Sequence, residues 1–364
     1  MKKIKIAFLG VGQKGRGSYR AVNMIPEMYD IRAVCDNNLQ SMESFNKEFV
    51  KSGAVKYTDY HKMLAEEELD AVAVSTPNFL HHEHSMAVLA KGRHLFLEKP
   101  MALSINHCRQ IINTADKKKL VLQIGMELHY HVLYRAMKQE VQKGRLGKAH
   151  MLWLEEMRGP FMKKIGDWII QKKYSGGTFV EKNCHHFDLF RWFLQSEPVS
   201  VFASAGHDVV HKADNGRWKH LKSSGVRQDV IDNGFVIVDF KNGTRANLIL
   251  SMFAPGRDHK LEIVGDQGSF SGNFNRFFYN VYRSDIQNTS SKTIHIKTGS
   301  REKKYGHGGS EYGQWIAFYN SVIHGKDVEV NGRAGMMAVA TGMAAEKSAE
   351  EKRLVYLKEI VKVK

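Results

Sequence analysis

Residues Gly10 to Gly15 read GVGQKG, and they stand between an apolar segment, Ile4 to Leu9, and a segment of helical pattern. In that setting each glycine has a separate use. Gly10 permits a tight turn, Gly12 lets the backbone approach a pyrophosphate, and Gly15 lets the helix lie close on the strand. Asp36 ends the second apolar segment about 20 residues further on, where a carboxylate accepts hydrogen bonds from ribose hydroxyls and repels a 2′-phosphate. Asn37 and Asn38 follow it rather than an arginine, so the ligand indicated is NAD and not its phosphorylated form. Ser75, Thr76, Pro77 and Asn78 follow the fourth apolar segment, at the carboxyl edge where open parallel sheets hold ligands. Gln13, Lys14, Asn37, His81, Glu98 and Lys99 complete the expected cofactor contacts. Lys99, in Glu98-Lys99-Pro100 after the fifth segment, has the type and place for chemistry. An ammonium there can hold the oxygen of a secondary alcohol, or help take its proton, while hydride leaves the carbon.

These residues need a scaffold, and the hydropathy pattern describes one. Short apolar runs near Ile4 to Leu9, Ile31 to Cys35, Ala71 to Ser75, His94 to Leu97 and Val121 to Gly125 alternate with amphipathic segments, the pattern of a parallel sheet with crossover helices. The fold class expected is an α/β Rossmann domain over residues 1–125, followed by an α+β domain with a largely antiparallel open-faced sheet over 126–364. C-terminal helices near Glu311 to Gly325 and Gly332 to Lys352 could return to the first domain. In the second domain a polar loop from Arg158 to Gly177 should lead into one helix ending at Leu194. Asn242-Gly243 marks a hairpin between two alternating strands, and Gly206 to Asp229 reads as an inserted loop.

Composition narrows the class further. The chain has 364 residues, 43% of them hydrophobic, which is enough for packed cores. Its 3 cysteines are far apart with no C-x-x-C, so neither a disulfide framework nor a thiolate zinc site is expected, and the compartment expected is the cytoplasm. The opening MKKIKIAFLGVG reads as a first strand rather than a signal peptide. No apolar stretch reaches the roughly 20 residues of a membrane span. The net charge of +16 is spread in lysine pairs and triples along the chain, without an arginine-rich arm, so no specific nucleic-acid partner is expected. His81, His82, His84 and His186 lack zinc-site spacing, and no metal is expected.

With GVGQKG, STPNFLHHEHSMAVLAKGRHLFLEKP, the GRLG turn at Gly144 to Gly147 and SGGTFVEKNCHHFDLFRWF from Ser175 together, the chain resembles, over nearly its whole length, the family of glucose-fructose oxidoreductase, inositol dehydrogenase and MocA. The resemblance implies an NAD-dependent enzyme moving hydride to or from a sugar or polyol, with the EKP lysine near the nicotinamide. It also implies an acid followed four positions later by a histidine after the paired glycines, here Glu181 and His185, with Asp188 beyond. On one helix, residues four apart share a face. His185 is then the acid–base partner, Glu181 its orienter or a sugar ligand, and Tyr130 a further acid–base group. The chain departs from the family in having Glu181 where inositol dehydrogenase has aspartate, and His129 where many members have arginine. The substrate contacts expected are Lys99, His129, Arg158, Lys163, Lys164, Trp168, Lys172, Glu181, His185 and His186. The cations among them suggest an anionic sugar such as a sulfosugar or uronic acid. A homodimer or homotetramer is implied. Two other classes stay open: an NAD-dependent glycoside hydrolase that oxidises its sugar transiently, eliminates, adds water and returns the hydride, and a nucleotide-sensing or nucleic-acid-binding protein.

Overall fold

The computed structural model describes residues 2–49, 53–210, 226–284, 289–297 and 309–361, and they form two compact units. The first takes the chain up to Glu127 and again the stretch 309–336; the second takes the described residues from Leu128 up to 297 and those from Met337 on. In the first unit the chain alternates β1 (Ile4–Leu9), α1 (Gln13–Asn23), β2 (Tyr29–Cys35), α2 (Leu39–Phe49), β3 (Val55–Tyr57), α3 (Tyr60–Glu66), β4 (Ala71–Val74), α4 (His81–Ala90), β5 (His94–Glu98), α5 (Ile105–Lys117) and β6 (Leu122–Gly125). The strands form one parallel sheet in the order β3-β2-β1-β4-β5-β6. Ile6 to Leu9 lie beside Ala71 to Val74, and all eight residues are buried, as expected for strands covered on both faces. The strand order reverses between β1 and β4, where such sheets open a crevice at their carboxyl ends.

The second unit contains α6 (Val132–Gln142), β7 (Ala149–Met157), α7 (Lys172–Ser175), α8 (Thr178–Glu181), α9 (Cys184–Leu194), β8 (Pro198–Gly206), β9 (Asn233–Phe240), β10 (Arg245–Ser251), β11 (Asp258–Gly265), β12 (Gly268–Asn273), β13 (Phe278–Ser284) and β14 (Thr289–His295). Its nine-stranded sheet is antiparallel apart from the β7–β10 pair. Asn242 and Gly243 turn the β9–β10 hairpin, with Gly243 at φ +82°. Alternation is clear on β9: Val236 and Val238 face the core, whereas Phe235 and Ile237 are exposed, the latter opposite exposed Phe202 of β8. The sheet is thus open on one face.

Two expectations need correction. The loop from Arg158 to Gly177 contains a 3-10 helix, Ile165–Ile170, and α7. The single helix expected to reach Leu194 is two, α8 and α9, parted at Lys182 and Asn183. Thr178 O accepts from both Lys182 N–H (2.8 Å) and Asn183 N–H (3.2 Å), and Asn183 O then accepts from His186 N–H (2.9 Å) and Phe187 N–H (3.0 Å). Asn183 caps the second helix while its side-chain amide meets His186 Nδ1 at 2.9 Å, the competition with helical hydrogen bonding that makes asparagine a boundary residue. Glu181 and His185 therefore do not share one regular helical face. Of the expected inserted loop, residues 211–225 lie outside the described residues.

The chain continues with α10 (Ser310–His324), α11 (Gly332–Glu351), β15 (Val355–Tyr356) and α12 (Leu357–Ile360). Helix α10 belongs to the first unit. Its fully buried Trp315 stacks on Phe96 of β5 at 4.0 Å between centroids and meets Phe8 of β1 edge-on at 5.9 Å, and Tyr29 Oη donates to Trp315 O at 2.6 Å. A helix remote in sequence thus closes the core beneath the parallel sheet. Trp315→Ala should cost about 3–5 kcal/mol of stability in denaturant unfolding, as large core truncations do; a loss below about 1 kcal/mol would show that the indole is not a core element.

Candidate active site

The carboxyl edge of the parallel sheet is shaped by close backbone approach. Gly10 has φ +91°, and a Cβ there would fall 2.7 Å from Ser75 C and 2.8 Å from Ser75 O. A Cβ on Gly15 would fall 1.9 Å from Gly10 O. Gly12 differs. It precedes α1 with no side-chain cap, and a Cβ built on it meets nothing within 4 Å. Gly12 thus leaves room beside the start of an 11-residue helix, and a helix N-terminus is where a phosphate is received. Asp36, at the end of β2, accepts from Val11 N–H at 2.9 Å through one oxygen and from Asn38 N–H at 2.8 Å through the other. Each oxygen keeps a lone pair for a ribose hydroxyl. These residues fit an NAD molecule, whose nicotinamide would supply the hydride chemistry.

The remaining cofactor candidates divide between edge and scaffold. Ser75 N–H donates to Leu9 O at 2.8 Å, holding the β4 loop against β1. Gln13 and Asn37 are exposed, and Asn78 is buried. His81 is 1% exposed, with Nδ1 2.7 Å from Pro100 O and Nε2 2.9 Å from Thr76 O. Burial pushes its pKa down to about 4 against the opposing pull of the two carbonyls; the neutral ring carries one N–H and donates to one of them, Pro100 O in the loop after β5 or Thr76 O.

Lys14 does something the motif does not announce. Its Nζ pairs with Glu127, with Glu311 of α10 at 3.1 Å and with Glu98 at 3.8 Å. Burial alone would lower its pKa, but the attraction of Glu127, Glu98 and Glu311 outweighs that and holds the ammonium charged. Glu98 ends β5, is 3% exposed, and accepts no hydrogen bond from the described residues. Its Oε2 would lie 2.8 Å from any Cβ on Gly125, so the next strand must carry glycine there. Burial pushes Glu98 up to about 7 against the pull of Lys14, helped by repulsion from Glu127. Lys99 follows it, half-buried, at the carboxyl end of β5. Glu127 and Glu311 were not singled out by the sequence, and no local pattern marks them.

In the second unit, Glu181 closes α8 and is 7% exposed, while His185, 4% exposed, lies in the first turn of α9. His129 is buried, with Nε2 2.5 Å from Asp188 Oδ2 and its ring stacked on Trp192 at 4.5 Å. Asp188 also faces Arg191 at 3.5 Å, whose fork meets both oxygens of Glu197 at 2.8 Å. Tyr130 is buried with the Arg135 guanidinium 5.0 Å above its ring. His186 turns instead to Asn183 and to Glu156 of β7, 3.6 Å away. Burial would raise Glu156, yet Lys182 at 3.1 Å, His186 and Arg158 at 3.7 Å hold its carboxyl well below the usual range. Lys172 pairs with Glu346 at 3.2 Å and with Glu350. Lys163 is exposed and Lys164 and Trp168 are half-buried. Among the described residues no group of three or more His, Cys, Asp or Glu could hold a metal, and no helix is long and apolar enough to cross a membrane.

The model of the oxidoreductase family with an NAD-binding Rossmann fold, named for Gfo, Idh and MocA, matches residues 4–126, and the model of the same family's C-terminal alpha/beta domain matches residues 138–357. The chain belongs to this family. It is an NAD-dependent oxidoreductase. It is 27% identical to the myo-inositol 2-dehydrogenase of Thermotoga maritima, over 98% of this chain and 100% of that one. It is also 27% identical to the inositol 2-dehydrogenase of Pseudomonas savastanoi, over 73% of each chain. A solved structure of levoglucosan dehydrogenase with NADH and L-sorbose has a TM-score of 0.85 at 18% identity, covering 98% of this chain and 99% of that one, which establishes a shared fold.

The buried carboxyl of this oxidoreductase makes a pH test available. Glu98 titrates near 7 when folded, above its ordinary 4.5. Its contribution to stability is therefore complete at low pH and lost as pH rises through about 7. Glu98→Gln keeps a neutral group at every pH. Its thermal midpoint, relative to the parent, should rise between about pH 4.5 and about pH 7 and level off above that; parallel profiles would mean that Glu98 titrates as an ordinary exposed carboxylate.

Proposed function

We propose that the enzyme moves hydride between a CHOH group of a sugar or polyol and NAD, with Asp36 and Lys99 serving cofactor and alcohol oxygen and His185 and Glu181 serving the acid–base step. The observation that carries this is the carboxyl edge of the parallel sheet, where the uncapped α1 terminus, Asp36 and Lys99 follow three of its strands. A bound NAD would supply the hydride acceptor for the alcohol C–H, and the O–H proton released with it would need a base among the side chains of this chain. Lys99 holds the alcohol oxygen, and His185 takes or returns the proton while Glu181 orients it or binds a neighbouring hydroxyl. The names of the relatives, inositol and levoglucosan dehydrogenases, support a polyhydroxylated substrate.

Charge pairing bears on the choice of sugar. Arg158 and Lys172, two of the cations expected to receive an anionic group, already face Glu156, Glu346 and Glu350. A neutral polyol suits that arrangement better than a sulfosugar or uronic acid, since a paired cation offers less to a second anion. His129, aimed at Asp188, reads as a support for α9 rather than a sugar ligand.

Lys99→Ala and His185→Ala should each lower kcat by about 10²–10⁴-fold, the range for a positioned acid or base, with NADH binding by fluorescence titration largely retained. Full turnover in both variants would remove these side chains from the reaction.

A further inference from the structure

The paired glycines ahead of Glu181 have a partner far along the chain. Gly176 and Gly177 stand at φ +90° and +88°, and α8 starts immediately after them. Glu346, on α11, is 5% exposed. Its Oε1 accepts the Phe179 N–H at 2.9 Å, and its Oε2 lies 3.2 Å from Lys172 Nζ. A Cβ on Gly177 would fall 2.4 Å from Glu346 Oε1 and 2.7 Å from Oε2, so the second glycine leaves the room the carboxylate occupies. The same helix comes close again at Gly342, where a Cβ would fall 2.6 Å from Phe179 O and 3.0 Å from Val180 Cα.

We propose that Glu346 is a positioning residue for Glu181: its carboxylate, pressed on the glycine turn and bonded to the Phe179 amide, fixes the single turn of α8 that carries Glu181. Four residues of helix supply almost no stability of their own. The N–H groups of such a turn need acceptors from elsewhere, and one of them receives Glu346. Glu181 N–H donates to Gly177 O at 2.8 Å, so the turn held at its start by Glu346 ends on Glu181. Burial raises the Glu346 carboxyl above its ordinary range, and Lys172, which Glu350 shares, offsets part of that rise. The inference rests on Glu181 serving the reaction, as proposed above.

The test compares Glu346→Gln, which keeps the reach of the side chain and an oxygen acceptor but loses the charge, with Glu346→Asp, which keeps the charge and draws it back by one methylene. Both are made alone and with Glu181→Gln, and kcat, the NADH dissociation constant and the thermal midpoint are measured. If Glu346 acts through Glu181, Glu346→Asp lowers kcat about tenfold at unchanged NADH affinity, and Glu346→Gln stays within about twofold of the parent. In the Glu181→Gln background both changes become silent, the non-additivity of coupled residues. Equal losses in both backgrounds, or a larger loss for Gln than for Asp, overturn the positioning role and leave the role of Glu181 intact. Parental turnover in Glu181→Gln alone overturns both.

Discussion

The first unit depends on how closely three pieces of backbone approach at the end of β1. Gly10 lies against Ser75 and Gly15 against the Gly10 carbonyl, at separations no side chain would tolerate. That contact brings the start of α1 to the carboxyl ends of β1 and β4, where the strand order reverses. With the backbone so placed, Asp36 reaches Val11 N–H, and a Cβ on Gly12, at the start of α1, would meet nothing within 4 Å. Beside it, Lys14 gathers carboxylates from β5, from the segment after β6 and from α10, so the glycine-rich loop is tied electrostatically to the strand end that carries Lys99.

The second unit solves a different problem, the burial of many ionisable groups near one short helical region. An isolated buried charge costs several kcal/mol, and a paired one far less. Asp188 meets His129 and Arg191, Glu156 meets Lys182 and Arg158, and Glu346 meets Lys172. The His129–Asp188, Lys182–Glu156 and Lys172–Glu346 pairs each link α7, α9 or the Lys182–Asn183 break to an element from another part of the chain, while Asp188–Arg191 lies within α9 and Glu156–Arg158 at the end of β7. Two of the basic residues that suggest an anionic ligand in the sequence, Arg158 and Lys172, face these acids in the fold.

The sequence was most legible where a local pattern has a local cause. The glycine motif, the apolar strands, the place of Asp36 at the end of β2 and the Asn242-Gly243 turn all depend on residues within a few positions, and the folded chain has the strands, the close glycine turn and the hairpin where they were read. The family, the NAD dependence and the two fold classes follow from those patterns together. What was not legible depends on partners distant in the chain. Nothing near Lys14 announces Glu311, and nothing near Gly177 announces Glu346. The break between α8 and α9 was missed because spacing alone does not reveal that the Asn183 side chain prefers His186 and Glu156 to a helical surface. Strands β12 to β14 escaped notice because their segments, such as GSFSGN and TSSKTIH, are polar and lack strong alternation.

The most direct test uses Gly12, the glycine that the fold itself does not require. Its backbone, at φ −63° and ψ −170°, suits any residue, and a Cβ there touches nothing. Gly12→Val should keep the thermal midpoint of the parent while weakening NADH binding, measured by titration calorimetry, by at least about tenfold, or about 1.4 kcal/mol. NADH bound as tightly by the valine variant as by the parent would show that the pyrophosphate does not rest on the start of α1.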